Sequence, residues 1–162
     1  MYVPFEQLPD HARIWVYQTD RTLNETEKSY LQQQLEIFVN QWTSHQQHLQ
    51  ASFEILYDRF VVIAVDEQMQ GASGCSIDKS VKMMQQLEQD LQISFFDRTL
   101  QTFWNGKELK TISLAQVKEA LQNHQLSPET IVFSPTVQQK ADLKTNWQIP
   151  LKNSWLKKYL VH

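Results

Sequence analysis

The chain has 162 residues, of which 41% are hydrophobic and 20% are charged, and its formal net charge is −3. This length and composition predict a single globular domain over residues 1–162 and exclude a disordered chain. The weakly acidic charge leaves no broad basic surface, so nucleic acid is not an expected partner, and the single cysteine excludes an internal disulfide.

The first elements are a strand and an amphipathic helix. Residues 12–17 are apolar on both alternating faces, which predicts a central strand. Two overlapping capping boxes, at Thr22 and at Asn24, offer alternative starts for the helix. Leucine and aromatic side chains then recur at helical intervals as far as Trp42, so one stripe of the helix packs on a core.

Two strands and a second helix follow. Residues 53–57 alternate apolar and polar side chains, as a half-exposed edge strand does. Residues 60–65 are apolar throughout and rich in β-branched side chains, which predicts a second central strand. A glycine-containing segment, residues 71–80, then opens another amphipathic helix.

The remaining elements are a hairpin, short helices and one short strand. Asn105-Gly106 predicts a two-residue turn, with both residues left-handed and with Trp104 exposed at the hairpin tip. Residues 113–116 form a further capping box, and residues 130–133 predict a short strand. Ser134-Pro135 predicts the start of a helix that ends near Trp147, and the aromatic tail is expected to pack on the core.

The order of these elements predicts an α+β domain with a mainly antiparallel sheet. The first four strands and two helices read βαββαβ, with the two most apolar strands first and third. Those are the central positions of a ferredoxin-like sheet, so a ferredoxin-like core is a possible arrangement. The hairpin and the C-terminal helices would be additions to that core.

The segment GASGCSIDKS, residues 71–80, is the main candidate for a ligand site. It opens a helix, where main-chain N–H groups lack helical partners and attract anions. It matches neither GxxxxGK[ST] nor GxGxxG, and an acid expected in the first helical turn would repel a phosphate. The residues that would bind a ligand are Ser73, Gly74, Cys75, Ser76, Asp78, Lys79 and Asp66.

Asp66 and Glu67 close the third strand and raise a separate possibility. Together with Asp78 across the segment they would form a carboxylate pair for a divalent cation, whereas the alternative is a solvated strand end. The solvated strand end is favoured. The histidines are scattered and no cluster has metal-ligand spacing, so no metal and no cofactor are expected.

Cys75 is the candidate catalytic residue. Reactive cysteine thiols often lie at helix N-termini. A nucleophilic cysteine needs a base, and no histidine lies near Cys75 in the sequence; His11, which precedes the first strand, is a candidate base only if the fold brings it close. The alternative, which the residue type favours, is a small buried side chain in a tight strand-to-helix turn.

Three segments of the chain resemble a family of Bacteroidetes proteins of about this length and of unknown function. They are VPFEQLPDHARIWVYQ, RFVVIAVDEQMQGASGCSIDKSV and LEQDLQISFFDR, with GASGCSIDKSV the most distinctive part. Members often carry the label "ABC transporter ATPase". The resemblance implies no catalytic residue, since none is established for the family. The label does not fit, because the chain has no P-loop, Walker-B or signature motif.

Two functions of different class follow from the sequence. The first is a non-enzymatic interaction or regulatory module that binds a protein partner through the sheet edge, the hairpin or the aromatic tail. The second is a ligand- or anion-binding protein, or a thiol-dependent enzyme, centred on GASGCSIDKS. No nucleophile–base pair can be assembled from the sequence, which favours the first.

The setting expected for the chain is the cytoplasm. Its start lacks the pattern of a secretory signal, and its longest apolar run is too short to cross a bilayer, so membrane insertion is not expected. A single unpaired cysteine fits a reducing compartment. The oligomeric state is left open.

Overall fold

The structure, a computed structural model, describes residues 1–160. Over this range the chain is an α+β protein with antiparallel sheets, as the sequence predicts. It forms two compact units, the first comprising residues 1–96 and 138–141 and the second residues 97–137 and 142–160. None of the helices in residues 1–160 has the length and hydrophobicity that a membrane crossing requires. The prediction of one domain stays a prediction.

The first unit is built on a three-stranded sheet in the order β1-β5-β4. Strand β1 is Arg13–Gln18, β4 is Gln50–Leu56 and β5 is Phe60–Asp66. The central strand β5 is buried from residue 60 to residue 65, which confirms that prediction. β4 lies at the edge, also as predicted.

β1 lies at the other edge, so its prediction as a central strand is wrong. The segment Gln138–Ala141 covers its outer side. The Ile14 N–H donates to the carbonyl of Gln138 at 3.0 Å, and the Lys140 N–H donates to the carbonyl of Ala12 at 2.9 Å. β1 therefore has a main-chain partner on both sides at its start, and its Ile14 and Tyr17, which project to opposite faces, are both buried.

Two helices and a small hairpin complete the first unit. Helix α1 is Glu25–Gln41, and it begins at the second of the two capping boxes, in which Asn24 and Glu27 bond reciprocally. The small hairpin consists of β2, Thr43–Ser44, and β3, Gln47–His48. Helix α2 is Gly74–Leu91. The core of this unit lies between the helices and one face of the sheet, and its largest fully buried side chains include Leu31, Leu35, Trp42, Ile63 and Met84.

The ferredoxin-like core is not confirmed. The order β1-β5-β4 matches the order of the first, third and second strands of a ferredoxin-like sheet. After α2, however, the next strand is β6, Leu100–Trp104, and it belongs to a separate sheet in the second unit.

The second unit contains a four-stranded sheet in the order β7-β6-β8-β9. Strand β7 is Leu109–Ser113, β8 is Ile131–Phe133 and β9 is Gln148–Pro150. Helix α3, Val117–Gln122, follows the predicted capping box at Ser113, and α4 is Asp142–Thr145. The tail packs as expected, with Leu151 and Leu156 fully buried in a core that includes Phe103, Val117 and Val132.

Three details of the second unit differ from the predictions. The turn between β6 and β7 has four residues, and Asn105 accepts from the N–H groups of Lys107 and Glu108 while only Gly106 is left-handed, with φ of 99°. Trp104 is half-buried rather than exposed, because its indole N–H donates to the side chain of Gln148 at 2.8 Å.

The helix expected from Ser134 to Trp147 is the third difference. A turn at residues 135–136 is followed by Gln139, which pairs with Arg13 of β1, so that only the four residues of α4 are helical. Proline after serine therefore starts a turn here and not a helix. The helix pattern is overridden by the strand pairing of residues 138–141.

Candidate functional site

The strand-to-helix segment is held in place by its own serines. Ser73 caps α2, and its hydroxyl accepts from the N–H of Ser76 at 3.2 Å. The Ser76 hydroxyl donates to the carbonyl of Ser73 at 2.8 Å, and the side chain of Ser76 is buried. The Ser76 carbonyl accepts from the indole N–H of Trp42 at 2.8 Å. Both hydroxyls are therefore used to begin the helix and to attach it to the core.

Cys75 is exposed, so its prediction as a small buried side chain is wrong. It is the second residue of α2 and lies on the exposed side of the first turn, next to the buried Ser76. Neither Gly71 nor Gly74 is left-handed, and a side chain at Gly74 would meet no atom within 4 Å. The glycines of this segment thus serve no special backbone conformation.

Asp78 also lies elsewhere than predicted. Because α2 begins at Gly74, Asp78 is its fifth residue, outside the first turn, which contains no acid. Asp78 and Lys79 are both exposed. The expected repulsion between a first-turn acid and an anion therefore has no basis in the structure.

The carboxylates at the end of β5 lie beside His11 and Arg13, at the start of the neighbouring strand β1. Asp66 Oδ1 lies 3.8 Å from His11 Nε2, and Glu67 Oε1 lies 3.8 Å from Arg13 Nη1. Glu67 also accepts from the N–H of Ala72 at 2.8 Å, which fixes the segment before α2. Within residues 1–160, no three histidine, cysteine or acidic residues are grouped as metal ligands would be.

The second candidate site is the outer edge of β4. There the N-terminal residues pair with the strand at one position: the Ala51 N–H donates to the carbonyl of Met1 at 3.0 Å, and the Val3 N–H donates to the carbonyl of Ala51 at 2.8 Å. Pro4 follows and has no N–H, and the chain then leaves the edge as a short 3-10 helix, Phe5–Gln7. The pairing therefore stops at Ala51.

The next outward-facing groups of β4 belong to Phe53 and Ile55. Main-chain groups in an antiparallel strand alternate between its two neighbours, so Ala51, Phe53 and Ile55 point to the outer edge while Ser52 and Glu54 face β5. Over the range that the structure describes, the N–H and C=O groups of Phe53 and Ile55 have no hydrogen-bond partner. Such a row is a template for another strand.

An open groove of about 340 Å³ lies along this edge. Residues of the first turns of α1 form one wall, namely Glu25, Lys28, Ser29 and Gln32. The strand wall and the two ends are formed by Phe53, Glu54, Ile55, Tyr2 and Asp58. The Tyr2 ring lies 5.9 Å from the ring of Phe53.

Glu54 differs from the other carboxylates of this groove in its electrostatic surroundings. Burial, and then the nearby negative charge of Glu6, raise the pKa of Glu54 above its ordinary value of 4.5. No cation offsets this within the described range. Lys28, by contrast, pairs with Glu25 at 2.7 Å and with Asp58 at 2.9 Å.

The sequence indicated this groove only in part. The alternation in residues 53–57 predicted an edge strand, and β4 is one. That the N-terminal residues cover Ala51 and leave Phe53 and Ile55 open depends on long-range pairing, which no local pattern encodes.

Comparison of the chain with known protein families, with curated proteins and with solved structures finds no match. The resemblance to the Bacteroidetes family therefore stays a prediction. What the protein does has to be argued from its own geometry.

Proposed function

We propose that this chain is a non-catalytic interaction module that receives an extended segment of a protein partner at the open edge of β4. The observation that supports it is the pair of unpartnered main-chain positions, Phe53 and Ile55, beside an open groove. Adding a strand to an exposed edge is a recurrent mode of peptide recognition. We place this interaction in the cytoplasm, where the exposed thiol of Cys75 stays reduced.

The groove has the parts that strand addition requires. Phe53 and Ile55 offer two donors and two acceptors to a partner main chain, and the Tyr2 ring closes the groove at one end. Each main-chain hydrogen bond contributes about 0.5–1.5 kcal/mol net, so a short edge of this kind supports reversible binding. Phe53 is 8% exposed, so its side chain packs in the core of the unit beside this edge.

Replacing Ile55 by proline tests the proposal. Proline removes the outward N–H of residue 55 and leaves the bonds of Glu54 and Leu56 to β5 intact, because proline is tolerated where the N–H faces away from the sheet. The matched control, Ile55→Thr, shortens the side chain but keeps the N–H. Far-UV circular dichroism and thermal unfolding establish that both variants fold.

The assay is selection from a phage-displayed library of random octapeptides. The wild-type chain and Ile55→Thr are expected to enrich the same extended peptides, and Ile55→Pro is expected to bind them about 5–10-fold more weakly. If folded Ile55→Pro binds these peptides as tightly as the wild type, or if the wild type enriches none, the proposal is wrong.

A second function is favoured by one observation, the exposure of Cys75 at the start of α2. In this alternative the chain is a thiol-dependent enzyme, or an anion or small-ligand binder, that uses the segment before and within the first turns of α2. Iodoacetamide labelling of the native chain across pH tests the thiol enzyme. A Cys75 that labels no faster than a cysteine in an unstructured peptide would exclude it.

Ligand binding by this segment has a separate test. A thermal-shift panel of phosphates, nucleotides and divalent cations is measured on the wild type and on Asp78→Ala. Stabilisation by one ligand that Asp78→Ala removes would support the alternative over the interaction module. The residues at stake are Ser73, Gly74, Cys75, Ser76, Asp78, Lys79 and Asp66.

A further inference from the structure

We infer that the segment received at the edge of β4 carries a lysine or arginine side chain, which pairs with the carboxylate of Glu54. This inference rests on the proposed function and specifies the chemistry of the partner. It follows from the charges that line the groove, from the absence of a cation at Glu54 and from the alternation of side chains along an added strand.

The groove is lined by three carboxylates and one ammonium group. The carboxylates belong to Glu25, Glu54 and Asp58, and the ammonium group belongs to Lys28. Lys28 is held between Glu25 and Asp58, at 2.7 and 2.9 Å, and its side chain is only 22% exposed. Glu54 is left without a cation in the described part of the chain, so the groove as a whole attracts positive charge.

Glu54 is also the carboxylate for which a cation would matter most. It is half-buried, whereas the side chains of Glu25 and Asp58 are 91% and 51% exposed. A cation stabilises the Glu54 carboxylate more than it would a solvated one, because Glu54 is partly removed from water and lies near the negative charge of Glu6. A lysine or arginine delivered by the partner supplies that cation.

The first unit as a whole favours a basic partner. It carries thirteen aspartate and glutamate residues against seven lysine and arginine residues. Such an excess of one sign steers oppositely charged segments toward the surface and raises the rate of association.

A second copy of this chain is disfavoured as the occupant by the same charges. Two β4 edges paired about a two-fold axis would bring each Glu54 toward the Glu54 of the other copy, along with Glu25 and Asp58. Like charges placed opposite each other destabilise a strand pair, and inward-facing charge is a known protection against edge-to-edge association.

The strand geometry fixes where the basic residue lies in the segment. Side chains of an added strand alternate between the two faces of the sheet. Glu54 projects to the face opposite to that of Phe53 and Ile55, because successive residues of β4 alternate. The basic side chain therefore lies on the Glu54 face, and its two neighbours in the segment project to the face of Phe53 and Ile55.

The test compares the peptides that the library described above yields on the wild type and on Glu54→Gln. On the wild type, the enriched peptides are expected to carry lysine or arginine at one fixed position. One such peptide and its counterpart with glutamine at that position are then titrated by NMR into both proteins, with Glu36→Gln as the control, since Glu36 is an exposed acid of α1 outside the groove.

For the wild type and for Glu36→Gln, the basic peptide is expected to bind about fivefold more tightly than its glutamine counterpart. For Glu54→Gln, the two peptides are expected to differ in affinity by less than about twofold. If the peptides depend on the N–H of Ile55 but show no basic preference, the inference is wrong and the proposed function stands. If Ile55→Pro changes nothing, both are wrong. A dimer by light scattering that Ile55→Pro dissociates would make a second copy the occupant and overturn the inference.

Discussion

Replacing Glu27 is expected to destabilise the chain in two separable steps, because this buried carboxylate serves two partners at the start of α1. Its Oε1 accepts from the N–H of Asn24 at 2.9 Å and from Arg21 at 2.8 Å, and its Oε2 accepts from Arg21 at 2.5 Å. Glu27→Gln keeps the bond to Asn24 and removes the charge pair. Glu27→Ala removes both.

The magnitudes follow from the exposure of the two partners. The side chain of Glu27 is 10% exposed, but that of Arg21 is 46% exposed, so the ion pair is partly screened by water and contributes about 1 kcal/mol. Loss of a capping interaction costs about 1 kcal/mol more. We therefore expect free energies of unfolding lower by about 1 kcal/mol for Glu27→Gln and about 2 kcal/mol for Glu27→Ala.

The assay is urea unfolding followed by tryptophan fluorescence, with Glu25→Gln as the control, since Glu25 lies in the same turn with a side chain that is 91% exposed. Arg21 holds the pKa of Glu27 below its ordinary value of 4.5. The stabilisation is therefore complete above that pH and is lost as the pH falls below it. A Glu27→Gln variant as stable as the wild type at pH 7, or equally less stable at pH 7 and pH 3, would refute this reasoning.

Three further predictions concern the groove, the contact between Trp42 and α2, and two glycines. Glu54→Gln is expected to stabilise the chain by about 0.5–1 kcal/mol at pH 7 and not below pH 4.5, because a raised pKa lowers stability only as the pH rises above the ordinary value; equal thermal stability of the two chains at pH 7 would contradict it. Trp42→Phe is expected to lower the free energy of urea unfolding by about 1–3 kcal/mol, since the hydrogen bond from the indole N–H to the Ser76 carbonyl is lost and the smaller ring leaves space in the core; a loss below about 0.5 kcal/mol would count against that bond. Gly74→Ala is expected to be neutral or slightly stabilising by calorimetry, whereas Gly106→Ala is expected to lower stability by about 1 kcal/mol because the φ of Gly106 is 99°. A larger loss of stability for Gly74→Ala than for Gly106→Ala would contradict these backbone conformations.

Local patterns in the sequence predicted the elements whose determinants are local. The Asn24–Glu27 capping box, the apolar run of β5 and the alternation in β4 each specify an element by spacing alone, and all three are confirmed. The capping box at Ser113 is confirmed in the same way.

The errors arise where partners distant in sequence decide the structure. β1 reads as central because residues 138–141 cover its edge, and that same pairing removes the helix expected after Ser134. Asn105-Gly106 makes a longer turn because the Asn105 side chain accepts from two following N–H groups. None of these interactions leaves a periodic signal.

The candidate sites show the same division. The sequence located the segment around Cys75 but not its exposure, which depends on which face of α2 packs on the core: the helix buries Ser76, Ser80, Met84 and Leu87 and leaves Cys75 exposed. The groove beside β4 depends on where Pro4 directs the N-terminal residues away from the strand.

Amide hydrogen exchange along β4, measured by NMR residue by residue, tests the central claim most directly. Ser52 and Glu54 donate toward β5, and their amides are expected to exchange slowly, whereas the amides of Phe53 and Ile55 face the open edge and are expected to exchange fast. Addition of a library-selected peptide is expected to slow Phe53 and Ile55 and to leave Ser52 and Glu54 unchanged. Slow exchange of Ile55 in the free chain, or no slowing when the peptide is bound, would contradict the proposal that this edge receives a partner strand.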